Sequence, residues 1–252
     1  MNFKTTLRKL VETTGYTIKK IADDKIYDRD GLRSIHNHDF MEEPKFRAAY
    51  ARGVQAAGDL DWHWRVHIGL WAASSANRLE GDFVECGVNR GFLSSAIMQY
   101  LNWDSTGKTF YLLDTFSGLD GRFVSDIEIV SGTLTNNETN LATGHYVTGA
   151  ESVKENFSEW KNQKIIVGSI PETLPLIEAS KVAYLHLDMN CAPPEVAAYE
   201  YLWDRLVPGA FVLLDDYAYS GYKEQKYAMD RAAEAAHRNI ASLPTGQGLI
   251  IK

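Results

Sequence analysis

Two cysteines in 252 residues, Cys86 and Cys191, are too few for a disulfide framework or a zinc cluster. Cys86 falls in an apolar run, where a free thiol serves as a small core residue, so a reducing, cytoplasmic setting is expected. No apolar run is long enough to span a bilayer, and the N-terminus has no signal-peptide core. Integral membrane contact is therefore not expected. Basic charge is also short. The 26 Lys and Arg against 33 Asp and Glu leave a net charge of -7, which disfavours nonspecific affinity for nucleic acid. The glycine fingerprint G-x-G-x-x-G is missing, which speaks against an NAD-type dinucleotide site. There is no internal repeat and no low-complexity tract.

What is present is organised around the run Asp-Phe-Val-Glu-Cys-Gly-Val-Asn-Arg-Gly from Asp82 to Gly91. It begins as a strand and ends in glycines spaced for a tight bend, and a helix is expected from Phe92 to Leu101. Strand, glycine turn and helix open a doubly wound sheet, with the turn and helix N-terminus facing a ligand. Glu85 at the strand end would repel phosphate but suits the ammonium of a methionine-like tail. The next strand, about 109–113, runs into Asp114, which is placed to accept both ribose hydroxyls of an adenosine.

The expected fold is α/β, a mostly parallel central sheet with helices on both faces. Residues 1–80 form an N-terminal helical extension and lid, and 81–252 the sheet domain. Residues 1–21 read as a basic helix, and 23–45 as polar and irregular. Helices are expected at 46–57 and at 62–79, the second capped by Asp61 and carrying a stripe of Trp64, Ile68, Trp71, Ser75 and Leu79. His63 and His67 lie one turn apart but lack a third ligand. Arg65 is suited to a carboxylate-bearing ligand. Residues 117–150, rich in Gly, Thr and Asn, are too long a loop to be idle and are read as a substrate lid ending near His145 and Tyr146.

Three carboxylates mark the ligand edge. The strand over 182–187 runs into Asp188, and the strand over 210–214 into Asp215 and Asp216. Neighbouring parallel strands bring these ends together, and a divalent cation held by oxygen (Mg²⁺, Ca²⁺ or Mn²⁺) would relieve the repulsion.

These blocks carry a resemblance. Gly-Asp-Phe-Val-Glu-Cys-Gly-Val at 81–88, Leu-Leu-Asp-Thr-Phe-Ser-Gly-Leu at 112–119, Leu-His-Leu-Asp at 185–188 and Val-Pro-Gly-Ala-Phe-Val-Leu-Leu-Asp-Asp-Tyr at 207–217 resemble the macrocin O-methyltransferase (TylF/MycF-like) family of bacterial sugar methyltransferases. The resemblance implies a class I methyltransferase fold, usually oligomeric, that uses S-adenosylmethionine. It implies that Glu85, Gly87 and Asp114 hold the cofactor. It also implies that Asp188, Asp215 and Asp216 hold Mg²⁺, which in turn holds two vicinal hydroxyls of a sugar or nucleotide-linked sugar. The expected cofactor set extends to Cys86, Gly91 and Ser94 around the turn, to Thr115, Gly168 and Ser169 at the next strand ends, and to Asp188. His145 and Asp188 are the candidate catalytic bases. One departure stands out: the family run Asp-x-Asp-Leu-Tyr is here Asp188-Met189-Asn190-Cys191-Ala192. A non-sugar vicinal diol as acceptor, and a cofactor-binding subunit without turnover, are the alternatives.

Overall fold

The structure is a computed structural model that describes residues 26–252 together with Val11, Thr13 and Thr14. The helix expected over 1–21 lies outside the described residues but for those three. The chain divides into two compact units, residues 1–38 and 39–252. Within the first, β1 (Tyr27–Arg29) and β2 (Leu32–Ser34) form an antiparallel hairpin. Its turn, Asp30-Gly31, has positive φ at both residues, the geometry that matches strand twist in a two-residue loop. The irregular segment expected at 23–45 thus contains a hairpin.

The second unit is built on a seven-stranded sheet of order β5-β4-β3-β6-β7-β9-β8. Its strands are β3 (Asp82–Cys86), β4 (Phe110–Asp114), β5 (Gln163–Val167), β6 (Val182–Leu187), β7 (Leu206–Leu214), β8 (Ala241–Ser242) and β9 (Gly248–Ile251). β3 to β7 run parallel, and β9 pairs antiparallel with β7. The central strands are buried on both faces, which is why they read as continuous apolar runs rather than alternating ones. Two apolar cores result, one on each face. Phe83, Phe110, Leu112 and Tyr184 anchor one, and Val84, Leu113, Leu185 and Val212 the other.

Helices α1 (Pro44–Ala57), α2 (His63–Ala76) and α3 (Phe92–Leu101) cover the first core. The compact unit begins at Asp39, so α1 and α2 belong to the same unit as the sheet. α2 is apolar almost all round, so its periodicity does not reveal the face it buries. That face carries Arg65, Val66, Leu70, Ala73 and Ala76, whereas Trp71 of the expected stripe is 48% exposed. Its N-cap is Trp62 without a side-chain bond, not Asp61. His63 stacks on Tyr50 and His67 on Phe40, so both histidines are packing groups.

The 117–150 segment is not a loop. It contains α4 (Asp126–Val130) and α5 (Thr133–Ala142), which are followed by α6 (Glu151–Phe157). Ser125 and Glu128 close a capping box at the start of α4, a signal that outweighs the low helix propensity around it. On the opposite side of the chain's order, α7 (Ala192–Trp203) and α8 (Lys223–Ala235) pack together. Among the described residues, no helix is long and apolar enough to cross a membrane.

α1 lies against the start of α3 at Gly53. A Cβ there would sit 2.6 Å from the Phe92 ring and 2.9 Å from the Phe92 carbonyl oxygen. In an open helix, Gly→Ala is worth roughly 1 kcal/mol of stabilisation. Here Gly53→Ala is expected to destabilise by about 1–3 kcal/mol, because the backbone oxygen cannot move aside. Urea unfolding of the variant checks the sign.

Candidate active site

The order of strands reverses between β3 and β6, because β4 and β5 lie on one side of β3 while β6 and β7 lie on the other. Ligands of open α/β sheets bind at such a point, outside the carboxyl ends of the strands. A cleft of about 370 Å³ opens there, within the range of small-molecule sites, roughly 300–1,000 Å³. The ends of β3, β4, β5, β6 and β7 contribute Gly87, Asp114, Gly168, Asp188 and Asp216 to its wall.

Gly87 is required by close approach. Its φ is 92°, and a Cβ would fall 1.8 Å from the Asp188 carbonyl oxygen. Only glycine lets the turn after β3 pack this closely on the backbone that follows β6. Asp114 braces the same turn. Its Oδ2 accepts the backbone N–H groups of Val88 (2.7 Å) and Asn89 (2.8 Å), and its Oδ1 accepts that of Phe116 (2.6 Å). Asn89, at φ 48°, links this turn to the insertion: its Nδ2 donates to the His145 carbonyl and its Oδ1 accepts from Val147 N–H.

Charge is concentrated beneath the cleft. Arg65 is 5% exposed. Its Nη1 forms an ion pair with Asp215 Oδ2 and lies 3.8 Å from Asp216 Oδ1. Its guanidinium also lies over the Tyr219 ring at 4.7 Å and the Trp62 ring at 5.5 Å. Gln247 donates to Asp215 Oδ1 at 2.9 Å. His186 Nδ1 donates to Glu85 Oε1 at 2.8 Å, and its Nε2 lies 3.7 Å from Asp215 Oδ1, an ion-pair distance. Burial disfavours the imidazolium, but Asp215 and Glu85 outweigh it and hold His186 up at about 10. Burial would likewise raise Asp215, yet Arg65 and His186 hold it well below the usual carboxylate range. Asp188 has no comparable partner. Burial, then Asp215 and Asp216, push its carboxyl well above the ordinary value. Behind it, Glu195 is pushed up to about 8 by burial and by Asp216, and accepts hydrogen bonds from Met189 N–H and Gln225.

The insertion supplies one wall of the cleft through Leu119, Phe123, Asn140, His145 and Tyr146. It is pinned at two points. Arg90 donates to the Gly144 carbonyl at 2.9 Å. Glu128, buried, accepts the Ala192 N–H at the start of α7 at 2.7 Å. Burial pushes the Tyr146 hydroxyl up to about 12.

The structure thus gathers Gly87, Asp114, Thr115, Gly168, Ser169, Asp188, Asp215, Asp216 and His145 around one cleft. It does not bring the other expected residues to that cleft. Cys86 is fully buried in the core, Gly91 faces the Phe157 ring, and Ser94 is buried inside α3. Glu85 turns to His186 and lines a smaller, adjoining cavity of about 60 Å³, where its Oε2 has no hydrogen-bond partner. The reason is the pleat of the strand and the direction of the helix: neighbours in sequence do not share a face. Residues not assigned to the site from sequence are His186, Gln247, Glu195 and Asn89. Only the His between two leucines at 185–187 gave a signal, as a polar residue in a buried strand. The cleft fits S-adenosylmethionine in its size and in the acceptors on its wall, Asp114, Ser169 and Asp188. The carboxylate edge does not fit the three-Asp cation site. Asp215 is committed to Arg65 and Gln247, and among the described residues no group of three or more His, Cys, Asp or Glu is arranged to hold a metal ion.

Comparison with known proteins agrees with this geometry. Residues 70–243 match the family described as Macrocin-O-methyltransferase (TylF). A Streptomyces olivaceus 8-demethyl-8-(2,3-dimethoxy-alpha-L-rhamnosyl)-tetracenomycin-C 4'-O-methyltransferase is 30% identical over 148 residues, 57% of this chain and 55% of that protein. A Micromonospora griseorubida mycinamicin III 3''-O-methyltransferase is 24% identical over 152 residues, 57% of this chain and 58% of that protein. The matches span a little over half the length of these curated relatives. Among solved structures, the O-methyltransferase NovP superposes with TM-score 0.65 at 19% identity, over 80% of this chain and 88% of that one. The calicheamicin methyltransferase CalS11 does so with TM-score 0.60 at 15% identity, over 86% and 94%. The fold is the class I, Rossmann-like fold of S-adenosylmethionine-dependent methyltransferases, and the chain belongs to the TylF macrocin O-methyltransferase family.

Proposed function

We propose that this chain transfers a methyl group from S-adenosylmethionine to a hydroxyl of a sugar, carried on a nucleotide or on a glycosylated small molecule. The observation that carries the reading is the position of Asp188. It is a proton-hungry carboxylate on the wall of the cleft, its backbone pressed against the Gly87 turn. The names of the two curated relatives support a sugar hydroxyl, since one is a rhamnosyl-tetracenomycin 4'-O-methyltransferase and the other a mycinamicin 3''-O-methyltransferase.

In this reading Gly87, Asp114, Thr115, Gly168 and Ser169 hold the cofactor at the ends of β3, β4 and β5. When bound, S-adenosylmethionine would supply an electrophilic methyl group on a sulfonium sulfur able to keep the electron pair of that bond. Asp188 takes the acceptor's hydroxyl proton. Burial, then Asp215 and Asp216, raise the proton affinity of Asp188, which suits its ionised form to that task. His145, exposed on the insertion wall, contacts the acceptor rather than the proton. Tyr146 and Phe123 exclude water, and the insertion is the lid. Holding acceptor and donor in line contributes much of the rate. Mg²⁺, which the resemblance implies at Asp188, Asp215 and Asp216, has no part in this mechanism, because Asp215 is already committed to Arg65. A cytoplasmic homo-oligomer that does not bind nucleic acid is the proposed setting. The buried free cysteines and the net charge of -7 support the compartment and the lack of nucleic-acid binding, and the family resemblance supports the oligomer.

Asp188→Asn is expected to lower kcat by about 10²–10⁴-fold while leaving S-adenosylhomocysteine affinity unchanged, and His145→Gln to act on KM and leave kcat within about fivefold. Steady-state kinetics with calorimetric binding checks both; the opposite pattern would make His145 the base. In a panel of nucleotide sugars and catechols, mass spectrometry is expected to find the methyl group on the sugar. Methylated catechol would move the acceptor class to non-sugar diols. Cofactor binding without any transfer would make the chain a non-catalytic subunit.

A further inference from the structure

The family resemblance implies a divalent cation at the carboxylate edge, yet the residues there are arranged around a cation the chain already owns. Arg65 enters from α2 beneath the cleft, pairs with Asp215, lies 3.8 Å from Asp216, and lines both the cleft and the smaller cavity beside it. It is fixed from the sides by the rings of Tyr219 and Trp62 and by the backbone carbonyl of Asp215, 3.4 Å from Nη1. The last unit of the edge is also weakened as a metal site, since Asn190 stands where the family run has a second Asp, and its Nδ2 lies 3.4 Å from Asp188 Oδ1.

A guanidinium keeps its charge at every accessible pH, and its planar fork suits carboxylate and oxyanion geometry. Removing it from Asp215 would leave a buried cation without its counter-charge. Binding a second cation a few ångströms away in a low-dielectric site would set two positive charges against each other.

We propose that the Arg65 guanidinium is the resident cation of this edge: it holds Asp215 and Asp216, occupies the place a divalent metal would take, and meets the negative charge that develops on the acceptor oxygen, so that methyl transfer proceeds without divalent metal. The inference rests on the methyl-transfer reading above and deepens it. The acceptor's oxygen bonds to the methyl carbon, the sulfur keeps the electron pair, and the proton goes to Asp188. Arg65 forms no covalent bond and moves no proton.

The test uses the full chain saturated with S-adenosylhomocysteine and titrated with Mn²⁺ under electron paramagnetic resonance, alongside turnover of the native enzyme after EDTA treatment. No saturable Mn²⁺ site at millimolar metal, with turnover unchanged by EDTA within about twofold, is expected. Arg65→Gln should lower kcat by about 10²–10³-fold, the loss typical of one donor to a developing oxyanion. It should also open a saturable Mn²⁺ site that Asp216→Asn removes. Arg65→Lys, which keeps the charge and is gentler on the fold, should retain more turnover than Arg65→Gln and still bind no Mn²⁺. A stoichiometric Mn²⁺ site in the native protein, or turnover abolished by EDTA and restored by Mg²⁺, overturns the proposal while leaving methyl transfer intact. Loss of S-adenosylhomocysteine binding in Arg65→Lys, with no change in metal binding, overturns it in favour of Arg65 serving the cofactor's carboxylate. Failure of the native chain to bind S-adenosylhomocysteine at all overturns the methyl-transfer reading itself, and this proposal with it.

Discussion

Crowded negative charge is the constraint on which the rest of this structure depends. A parallel sheet delivers Asp188, Asp215 and Asp216 to one edge, with Glu85 directly behind them. Unpaired carboxylates in such a place are costly, because each gives up water without gaining a partner. The molecule answers with Arg65 and a charged His186, both buried. Asp215 takes most of that compensation and stays ionised. Asp188 takes little, and burial with Asp215 and Asp216 pushes its carboxyl well above the ordinary value. The division of roles among chemically identical side chains thus follows from which of them the two buried cations reach.

The surrounding architecture serves the same arrangement. α2 is needed to carry Arg65 under the sheet edge, and its apolar residues Val66, Leu70 and Ala73 hold it there. β9 returns antiparallel beside β7 so that Gln247, at its start, can donate to Asp215. The glycine turn at Gly87 is tied to β4 through Asp114 and to the insertion through Asn89. The insertion is tied to α7 through Glu128. The Gly87 turn, the strand ends and the insertion wall of the cleft are therefore connected by hydrogen bonds that cross between elements far apart in sequence.

Much of this was legible in the chain, for physical reasons that differ from element to element. β3, β4 and β6 are buried on both faces, so their apolar runs locate them to within about a residue, and glycines and acids mark where they end. Asp114, Asp188, Asp215 and Asp216 could be named because strand ends converge by topology alone. Which way a side chain points could not be read. Glu85 follows Val84 by one residue and so faces the opposite side of the strand, toward His186 and the smaller cavity. α2 hid its buried face because it is apolar all round, and with it the partner of Arg65. The helices of the insertion were masked by Thr, Asn and Gly, and only the Ser125–Glu128 capping box announced one of them. The commitment of Asp215 to Arg65, 150 residues away in sequence, is a tertiary fact that no local pattern encodes.

The most direct measurement is a crystal structure of the protein with S-adenosylhomocysteine, grown with millimolar Mg²⁺. The thioether sulfur is expected above the Gly87 turn with the Asp188 carboxylate facing the open side of the cleft, and Arg65 still paired with Asp215. Electron density for a metal ion joining Asp188, Asp215 and Asp216, with Arg65 withdrawn, would contradict the resident-cation arrangement. A cofactor bound away from the Gly87 turn would contradict the site itself.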